Sequence, residues 1–305
     1  MSFEFVFREY PEPKPLDFIG YWGPVTATID WCEENYVISP FFAEFINATT
    51  NLSFFILSMY HLYSALKNKL GNLFIFVSIG MGVVGLGSWF FHMTLKYEFQ
   101  LMDELPMIYV TAIPSAYLFG YGNSVFIKKL TCILVFTLML VMTIIYCFIY
   151  KDPVIHQICY AFLNFAIIIR SLLLTNKKVK DQKQRIFLYK LLFKSFSLFA
   201  FGFFIWNIDN EFCIHLINLR RNLFGIPLGF LLEGHGWWHI FTSLGIYNFV
   251  LYMEILVTYL EGLENNYDLI WKWKFFGQLV LKPNMKSLAD VHIFEDDSKI
   301  TKKNI

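Results

Sequence analysis

Long apolar stretches alternate with short polar segments along most of the chain. Each stretch has about 20 residues, enough for a helix to cross a hydrocarbon core of about 30 Å. Backbone polar groups must be satisfied within each segment in lipid, so helices are expected rather than isolated strands. The pattern predicts seven such helices, at residues 41–64, 71–93, 102–120, 127–149, 154–174, 191–208 and 226–258. We therefore expect an all-α membrane protein, built as a seven-transmembrane helix bundle.

Polar segments flank the predicted bundle at both ends of the chain. Residues 1–40 are polar to mixed and contain an acidic run at residues 30–35, and residues 261–305 are polar and charged. We expect an N-terminal acidic segment over 1–40, a membrane domain over 41–260 and a poorly ordered tail over 261–305.

Composition excludes a soluble domain and a nucleic-acid partner. Hydrophobic residues make up 56% of the chain and charged residues only 16%, whereas a soluble domain has about 25% charged residues. The net charge is only +1, and no basic patch with interleaved aromatic residues occurs. We therefore expect most of this chain to lie within a membrane.

Basic residues predict the orientation of the bundle. Loops that follow the first, third and fifth spans carry ten Lys and Arg residues, whereas the other loops carry four. Because basic loops remain in the cytosol, the N-terminus is expected outside it and the C-terminus inside it. The chain ends in Lys302-Lys303-Asn304-Ile305, which resembles a dilysine signal for retrieval to the endoplasmic reticulum and is read from the cytosol (compare).

Three histidines fall at the same predicted depth, near the non-cytosolic face. His92 ends the second span, and His235 and His239 lie four residues apart in the seventh, on one helical face. Three histidine ligands with a fourth position left for water describe an open catalytic zinc site. The alternative is that these histidines only form hydrogen bonds between packed helices.

A serine and an aspartate accompany the histidines. Ser88 precedes His92 by one helical turn, and Asp103 begins the next span. Beside a zinc ion, Asp103 would serve as general base and then acid, and Ser88 would donate a hydrogen bond to a developing oxyanion. Alternatively, Ser88 is a small residue at a helix interface, among the nearby glycines.

The acidic run offers a second candidate metal site. Asp30, Glu33, Asn35 and the early span residue Glu44 carry hard oxygen ligands, which suit Ca²⁺ rather than zinc. The spacing is not that of an EF-hand loop, so a solvated acidic turn remains the alternative reading.

The cysteines fall into two groups. Cys32 and Cys213 lie on the same predicted non-cytosolic side, where an oxidising compartment would allow a disulfide between them. The other three, Cys132, Cys147 and Cys159, lie within spans and are expected to be structural.

Three separated motifs carry a family resemblance. These are DWCEEN at residues 30–35, GSWFFHMTLKYEFQLMDELPMIY at residues 87–109 and GHGWWH at residues 234–239. Together they closely resemble the alkaline ceramidases, members of a wider group of seven-helix membrane hydrolases that includes the adiponectin receptors. Fungal members of the family hydrolyse phytoceramide and dihydroceramide in the endoplasmic reticulum and also run the reverse synthesis.

The resemblance also implies ligand sets. It implies zinc on three residues, His92, His235 and His239. It implies calcium on five residues, Asp30, Trp31 (through its backbone carbonyl), Glu33, Asn35 and Glu44. It further favours the disulfide between Cys32 and Cys213.

The expected function is zinc-dependent hydrolysis of the ceramide amide bond, with the membrane lipid itself as substrate. Two alternatives belong to other classes. One is a lipid receptor of the adiponectin-receptor type, with the same zinc cavity. The other is a proton-coupled transporter that uses Asp103 and Glu44, although the sequence shows no internal repeat of the kind transporters carry.

Overall fold

The computed structural model describes residues 9–15 and 17–291, and seven long helical spans dominate it. The helices, in chain order, are α1 (Phe45–Thr50), α2 (Leu52–Lys67), α3 (Asn72–Thr94), α4 (Tyr97–Gly120), α5 (Val125–Ile144), α6 (Pro153–Lys178), α7 (Gln182–Glu211), α8 (Cys213–Leu219), α9 (Gly225–Leu228) and α10 (Gly234–Leu260). The first span consists of α1 and α2, and α5 continues into a π-helical turn at Ile145–Ile149. The predicted seven-helix bundle is confirmed.

Within the part of the chain that the structure describes, five helical segments are long and apolar enough to cross a membrane. They are Asn72–Thr94, Val125–Ile149, Pro153–Lys178, Gln182–Glu211 and Cys213–Leu260. The other two spans of the bundle do not meet this description, because the third is more polar and the helix of the first is shorter. Helix α4 carries the carboxylates Asp103 and Glu104, and α2 alone has only 16 residues.

The sixth and seventh spans begin at different residues from those that hydropathy predicts. Helix α7 starts at Gln182, nine residues before the predicted start at 191, because the Asp181 carboxylate caps its first turn by accepting the Lys183 amide at 2.6 Å. Helix α10 starts at Gly234 rather than at 226, and short helical turns fill the preceding residues.

Helix α10 lies at the centre of the bundle and packs against α7, α2 and α6. Its inner residues form much of the apolar core, including Leu251, Tyr252 and Leu256, all fully buried. Helices α3 and α4 pack side by side, and their crossing places the candidate serine and aspartate together, as described below.

The N-terminal segment lies across the end of the bundle where α3 finishes. The Glu44 amide donates to the His92 carbonyl at 2.9 Å, and the Ala43 amide donates to the Met93 carbonyl at 3.0 Å. A disulfide joins Cys32 to Cys213, whose Cα atoms are 5.3 Å apart, so this predicted pair is confirmed. The acidic segment is therefore fixed to the bundle.

Residues 264–290 of the C-terminal segment contain regular secondary structure, so the prediction of a poorly ordered tail is wrong for these residues. Strands β1 (Tyr267–Lys272) and β2 (Phe276–Leu281) form an antiparallel hairpin. The hairpin packs on the bundle, where the Tyr247 hydroxyl donates to the Gly277 carbonyl at 2.6 Å. Most residues of the two strands are apolar, and Tyr267 and Leu279 are buried. The charged residues elsewhere in the tail masked this pattern. Lys302 and Lys303 lie outside the described residues.

Candidate metal centre

Three buried histidine side chains converge at the end of the bundle beneath the N-terminal segment. His92 comes from α3, and His235 and His239 come from the first turns of α10. One potential ligand atom from each lies within 4.8 Å of the other two. The structure therefore brings together all three histidines that the sequence singled out.

Two hydrogen bonds fix the orientation and tautomer of two of these rings. The Glu44 carboxylate accepts a hydrogen bond from His92 Nδ1. The Thr50 hydroxyl donates to the Ile46 carbonyl at 2.7 Å, so its oxygen is left to accept from His239 Nδ1 at 3.0 Å. In both rings the lone pair is then on Nε2, which is the arrangement that a metal-binding histidine needs.

The unpartnered ring nitrogens support a metal at this position. His92 Nε2 and His235 Nδ1 are buried and have no hydrogen-bond partner among the described residues. A buried polar atom without a partner costs free energy. A divalent metal ion would supply that partner, and three imidazole nitrogens form a donor set that such ions accept.

The α10 N-terminus is held in place by Asp209, at the end of α7. Asp209 is buried, and its Oδ1 accepts the Gly234 amide at 3.0 Å. A Cβ atom on Gly234 would lie 2.8 Å from Asp209 Cβ, so only glycine allows this approach. Asp209 therefore positions the turn that carries His235. Sequence reasoning missed it, although a carboxylate at the end of an apolar span is itself a signal.

Ser88 and Asp103 meet where α3 crosses α4. The Ser88 hydroxyl forms a hydrogen bond with the half-buried Asp103 carboxylate. The approach depends on Gly87, because a Cβ atom there would lie 2.0 Å from the Met102 carbonyl oxygen. Ser88 is one helical turn from His92, so this pair lies at the histidine end of α3.

The predicted calcium ligands lie in the N-terminal segment and at the start of α1. The two carboxylate oxygens of Glu33 accept the Ile46 and Asn47 amides, each at 2.7 Å, and so cap α1. Burial, and next the charge of Glu44, raises the pKa of the Glu33 carboxyl to about 8. Asp30 is exposed, and it accepts a hydrogen bond from Asn35 Nδ2 at 3.2 Å.

Two oxygens of this set fit a bound cation. Asn35 Oδ1 and Glu44 Oε1 are buried and lack a hydrogen-bond partner in the described part of the chain. A hard cation would satisfy both atoms and neutralise the neighbouring carboxylates. Glu44 also contacts His92 through its other oxygen, so one side chain joins the acidic segment to the three clustered histidines.

A buried ion pair that sequence reasoning missed supports the same end of the bundle. Arg220 is fully buried, and it pairs with Glu233 and donates to the Cys32 carbonyl at 2.9 Å. The Tyr10 hydroxyl donates to Glu233 at 3.0 Å. The sequence analysis counted Arg220 only as a loop charge. Its buried pairing was not visible there, because Glu233 and Cys32 lie 13 and 188 residues away in the chain. Glu233, next to the GHGWWH motif, was the available signal.

The other histidines of the described residues, His61, His156 and His215, lie outside the centre, and His61 has a partner that the sequence did not reveal. Its Nδ1 lies 3.4 Å from Glu254 Oε1, and both side chains are buried. The pair joins α2 to α10 well away from the candidate metal centre, since Glu254 is 15 residues beyond His239 on the same helix.

The fold and these side chains together define a class: a polytopic membrane protein with a buried three-histidine centre next to a serine–aspartate pair. The sequence profile of the Ceramidase family matches residues 23–282, and the chain belongs to the alkaline ceramidase family.

Similar proteins are known from several eukaryotes. The chain is 40% identical over 290 residues to alkaline ceramidase YPC1 of Saccharomyces cerevisiae, which covers 91% of this chain and 90% of that protein. It is 41% identical over 243 residues to alkaline ceramidase 3 of Mus musculus, covering 78% and 86%. It is 33% identical over 269 residues to putative alkaline ceramidase dcd3A of Dictyostelium discoideum, covering 76% and 88%.

Proposed function

We propose that this protein hydrolyses the amide bond of ceramide, giving a free long-chain base and a fatty acid. The observation that carries the proposal is the three-histidine cluster beside Ser88 and Asp103, in a chain that belongs to the alkaline ceramidase family. The expected substrates are phytoceramide and dihydroceramide. The same groups serve the reverse condensation, because catalysis lowers the barrier in both directions.

His92, His235 and His239 would hold a zinc ion, which suits an open site of three histidines. When bound, zinc polarises the amide carbonyl and makes water more acidic. Glu44 and Thr50 keep two of the imidazole rings in the tautomer that leaves Nε2 free.

Asp103 carries the proton. Its carboxylate takes a proton from the attacking water as the new C–O bond forms, and later delivers it to the nitrogen as the C–N bond breaks. Ser88 donates to Asp103 in the resting structure. Once Asp103 is protonated it becomes a poorer acceptor, and the Ser88 hydroxyl is released to donate to the charged substrate oxygen.

The calcium site is the second part of the proposal. Asp30, the Trp31 carbonyl, Glu33, Asn35 and Glu44 would bind Ca²⁺, which the two unpartnered oxygens of Asn35 and Glu44 support. Bound calcium would fix the acidic segment against α1. Through the contact of Glu44 with His92, it would also hold one metal ligand in place.

We propose the endoplasmic reticulum membrane as the location, with the N-terminus in the lumen and the C-terminus in the cytosol. The lysine and arginine distribution and the terminal Lys302 and Lys303 support this. A glycosylation acceptor fused to the N-terminus should be modified, and one fused to the C-terminus should stay unmodified. The opposite result would place the metal centre on the cytosolic side.

The central experiment is metal analysis and turnover of the same purified sample. Wild-type protein should contain about one zinc per chain, and His92→Ala, His235→Ala and His239→Ala should each lose turnover on a defined ceramide. His215→Ala is the matched control, because His215 is exposed. Near-normal turnover in any of the three ligand variants would remove that residue from the site.

A further inference from the structure

The tip of the β1–β2 hairpin, residues 270–275, exposes several large apolar side chains. Trp273 and Phe275 are 79% and 70% exposed, and Ile270 and Trp271 are exposed as well. The other two residues of the tip are both lysines. Exposed apolar side chains that lie together mark a site of interaction, so the tip is expected to contact something other than water.

The hairpin runs along the bundle, with its base at the helix ends farthest from the metal centre. At the base, the Tyr267 hydroxyl donates to the Lys69 carbonyl, just beyond the end of α2, at 3.2 Å. Next to the tip, the Phe276 ring centre lies 6.5 Å from that of Tyr60 on α2 and 5.5 Å from that of Tyr247 on α10. Tyr60 and Tyr247 lie seven and 13 residues before the ends of their helices. The tip therefore lies about 10–20 Å along the helices from their ends.

Helix α7 indicates the depth of the tip in a membrane. Lys194 Nζ lies 5.9 Å from the centre of the Trp271 ring. Residues 195–208, which follow Lys194, carry no charge, so Lys194 lies where the uncharged part of this span begins. A lysine at such a boundary extends its ammonium group to the lipid head groups, and tryptophan and tyrosine are enriched at the same level. The tip is thus level with the membrane interface.

The backbone of the hairpin also fits the interface better than the hydrocarbon core. The sheet has two strands in the part of the chain that the structure describes, so the outer edge of each strand has no strand partner. Such an edge needs hydrogen bonds from water or lipid head groups, which hydrocarbon cannot supply. Met59 on α2 and Phe193 on α7, next to the residues that contact the hairpin, are exposed. The tip is therefore continuous with the lipid-facing surface of the spans.

We propose that the tip binds phospholipids of the leaflet farther from the metal centre, and so anchors the C-terminal segment at the membrane interface. Trp273 and Phe275 enter the boundary between head groups and acyl chains, and the exposed Lys274 lies at the level of the phosphates. A second copy of the chain fits less well, because a symmetric contact would bring the lysines of both tips together. The inference goes beyond ceramide hydrolysis and does not depend on it.

A photoreactive benzophenone amino acid tests the lipid contact. At residue 273 of the full-length protein in phosphatidylcholine nanodiscs, it should form a covalent adduct with the lipid on irradiation, counted by mass spectrometry. The control is the same amino acid at residue 285, because Met285 is also exposed but lies near the base of the hairpin. The adduct yield at residue 273 should be at least fivefold higher. If that variant does not fold, residue 275 serves the same purpose. Equal yields, or an adduct with a second protein chain, would overturn the proposal.

A charge placed in the tip tests its depth. Trp273→Asp should move the tip out of the interface, because a carboxylate is disfavoured among acyl chains. Hydrogen exchange of the amides of residues 270–275, measured in the same nanodiscs, should become at least fivefold faster. Met285→Asp should leave it unchanged. A tip that contacts only water would exchange equally in both variants, and that result would refute lipid binding.

Discussion

Gly87→Ala offers a sharp test of how the α3–α4 crossing supports catalysis. A Cβ atom at residue 87 would lie 2.0 Å from the Met102 carbonyl oxygen and 2.5 Å from its carbon. Real contacts of this type start above about 3 Å, so the two helix backbones must separate by about 1 Å. Ser88 and Asp103 directly follow the two contacting residues, so their hydrogen bond must lengthen.

A displacement of about 1 Å in a catalytic pair lowers turnover by about 100-fold, which corresponds to about 2.7 kcal/mol. We expect Gly87→Ala to show that loss in kcat on a defined ceramide, with zinc still bound. Overpacking should also cost about 1–3 kcal/mol of stability, measured by thermal unfolding.

Gly82→Ala is the matched control on the same helix. Its Cβ atom would meet the Ser58 hydroxyl oxygen at 3.0 Å, the end of a side chain that can rotate, rather than a backbone. This variant should keep turnover within about twofold of wild type, because only a rotatable side chain has to yield. Wild-type turnover in Gly87→Ala would refute the argument that the crossing sets the spacing of Ser88 and Asp103.

Three further predictions concern the surroundings of the metal centre. Glu44→Gln should weaken zinc binding about tenfold in a chelator competition, because His92 Nδ1 loses its carboxylate partner. The control Asn35→Ala removes only a proposed calcium ligand and should leave zinc affinity unchanged. Equal losses of zinc affinity in the two variants would contradict the role of Glu44 as the partner of His92. Chelating calcium should lower turnover without releasing zinc, and added calcium should restore it; activity indifferent to calcium would leave the acidic segment without a metal role. Asp209→Ala should lower stability by about 0.5–2 kcal/mol in thermal unfolding, because the Gly234 amide loses its cap, and an unchanged unfolding temperature would exclude the capping role.

Hydropathy predicted the bundle well because the bilayer imposes one length and one polarity on every span. The ends of the spans were harder, since capping decides them: Asp181 starts α7 well before its apolar residues begin. The C-terminal hairpin was missed for another reason. Its buried face packs against α2 and α10, and the sequence alone does not reveal those tertiary contacts.

The candidate site likewise contains some residues that the sequence predicts and others that it does not. The four-residue spacing of His235 and His239 predicts that they share a helical face, and the depth of His92 in the second span predicts that it lies near them. The supporting residues Asp209 and Arg220 were not predictable from spacing, because each acts on a segment at least 13 residues away in sequence. Such pairings are set by tertiary packing, which leaves no periodic trace in the chain.

The disulfide between Cys32 and Cys213 closes a covalent ring that contains most of the bundle but not α10. Its two cysteines are 181 residues apart, and six of the seven spans lie between them. At a synthesis rate of about 5–20 residues per second, Cys32 waits roughly 10–35 s for its partner. The covalent ring therefore closes around six helices, while α10, with His235 and His239, follows outside it. The three-histidine cluster can thus be completed only after both cysteines of the ring have been synthesised.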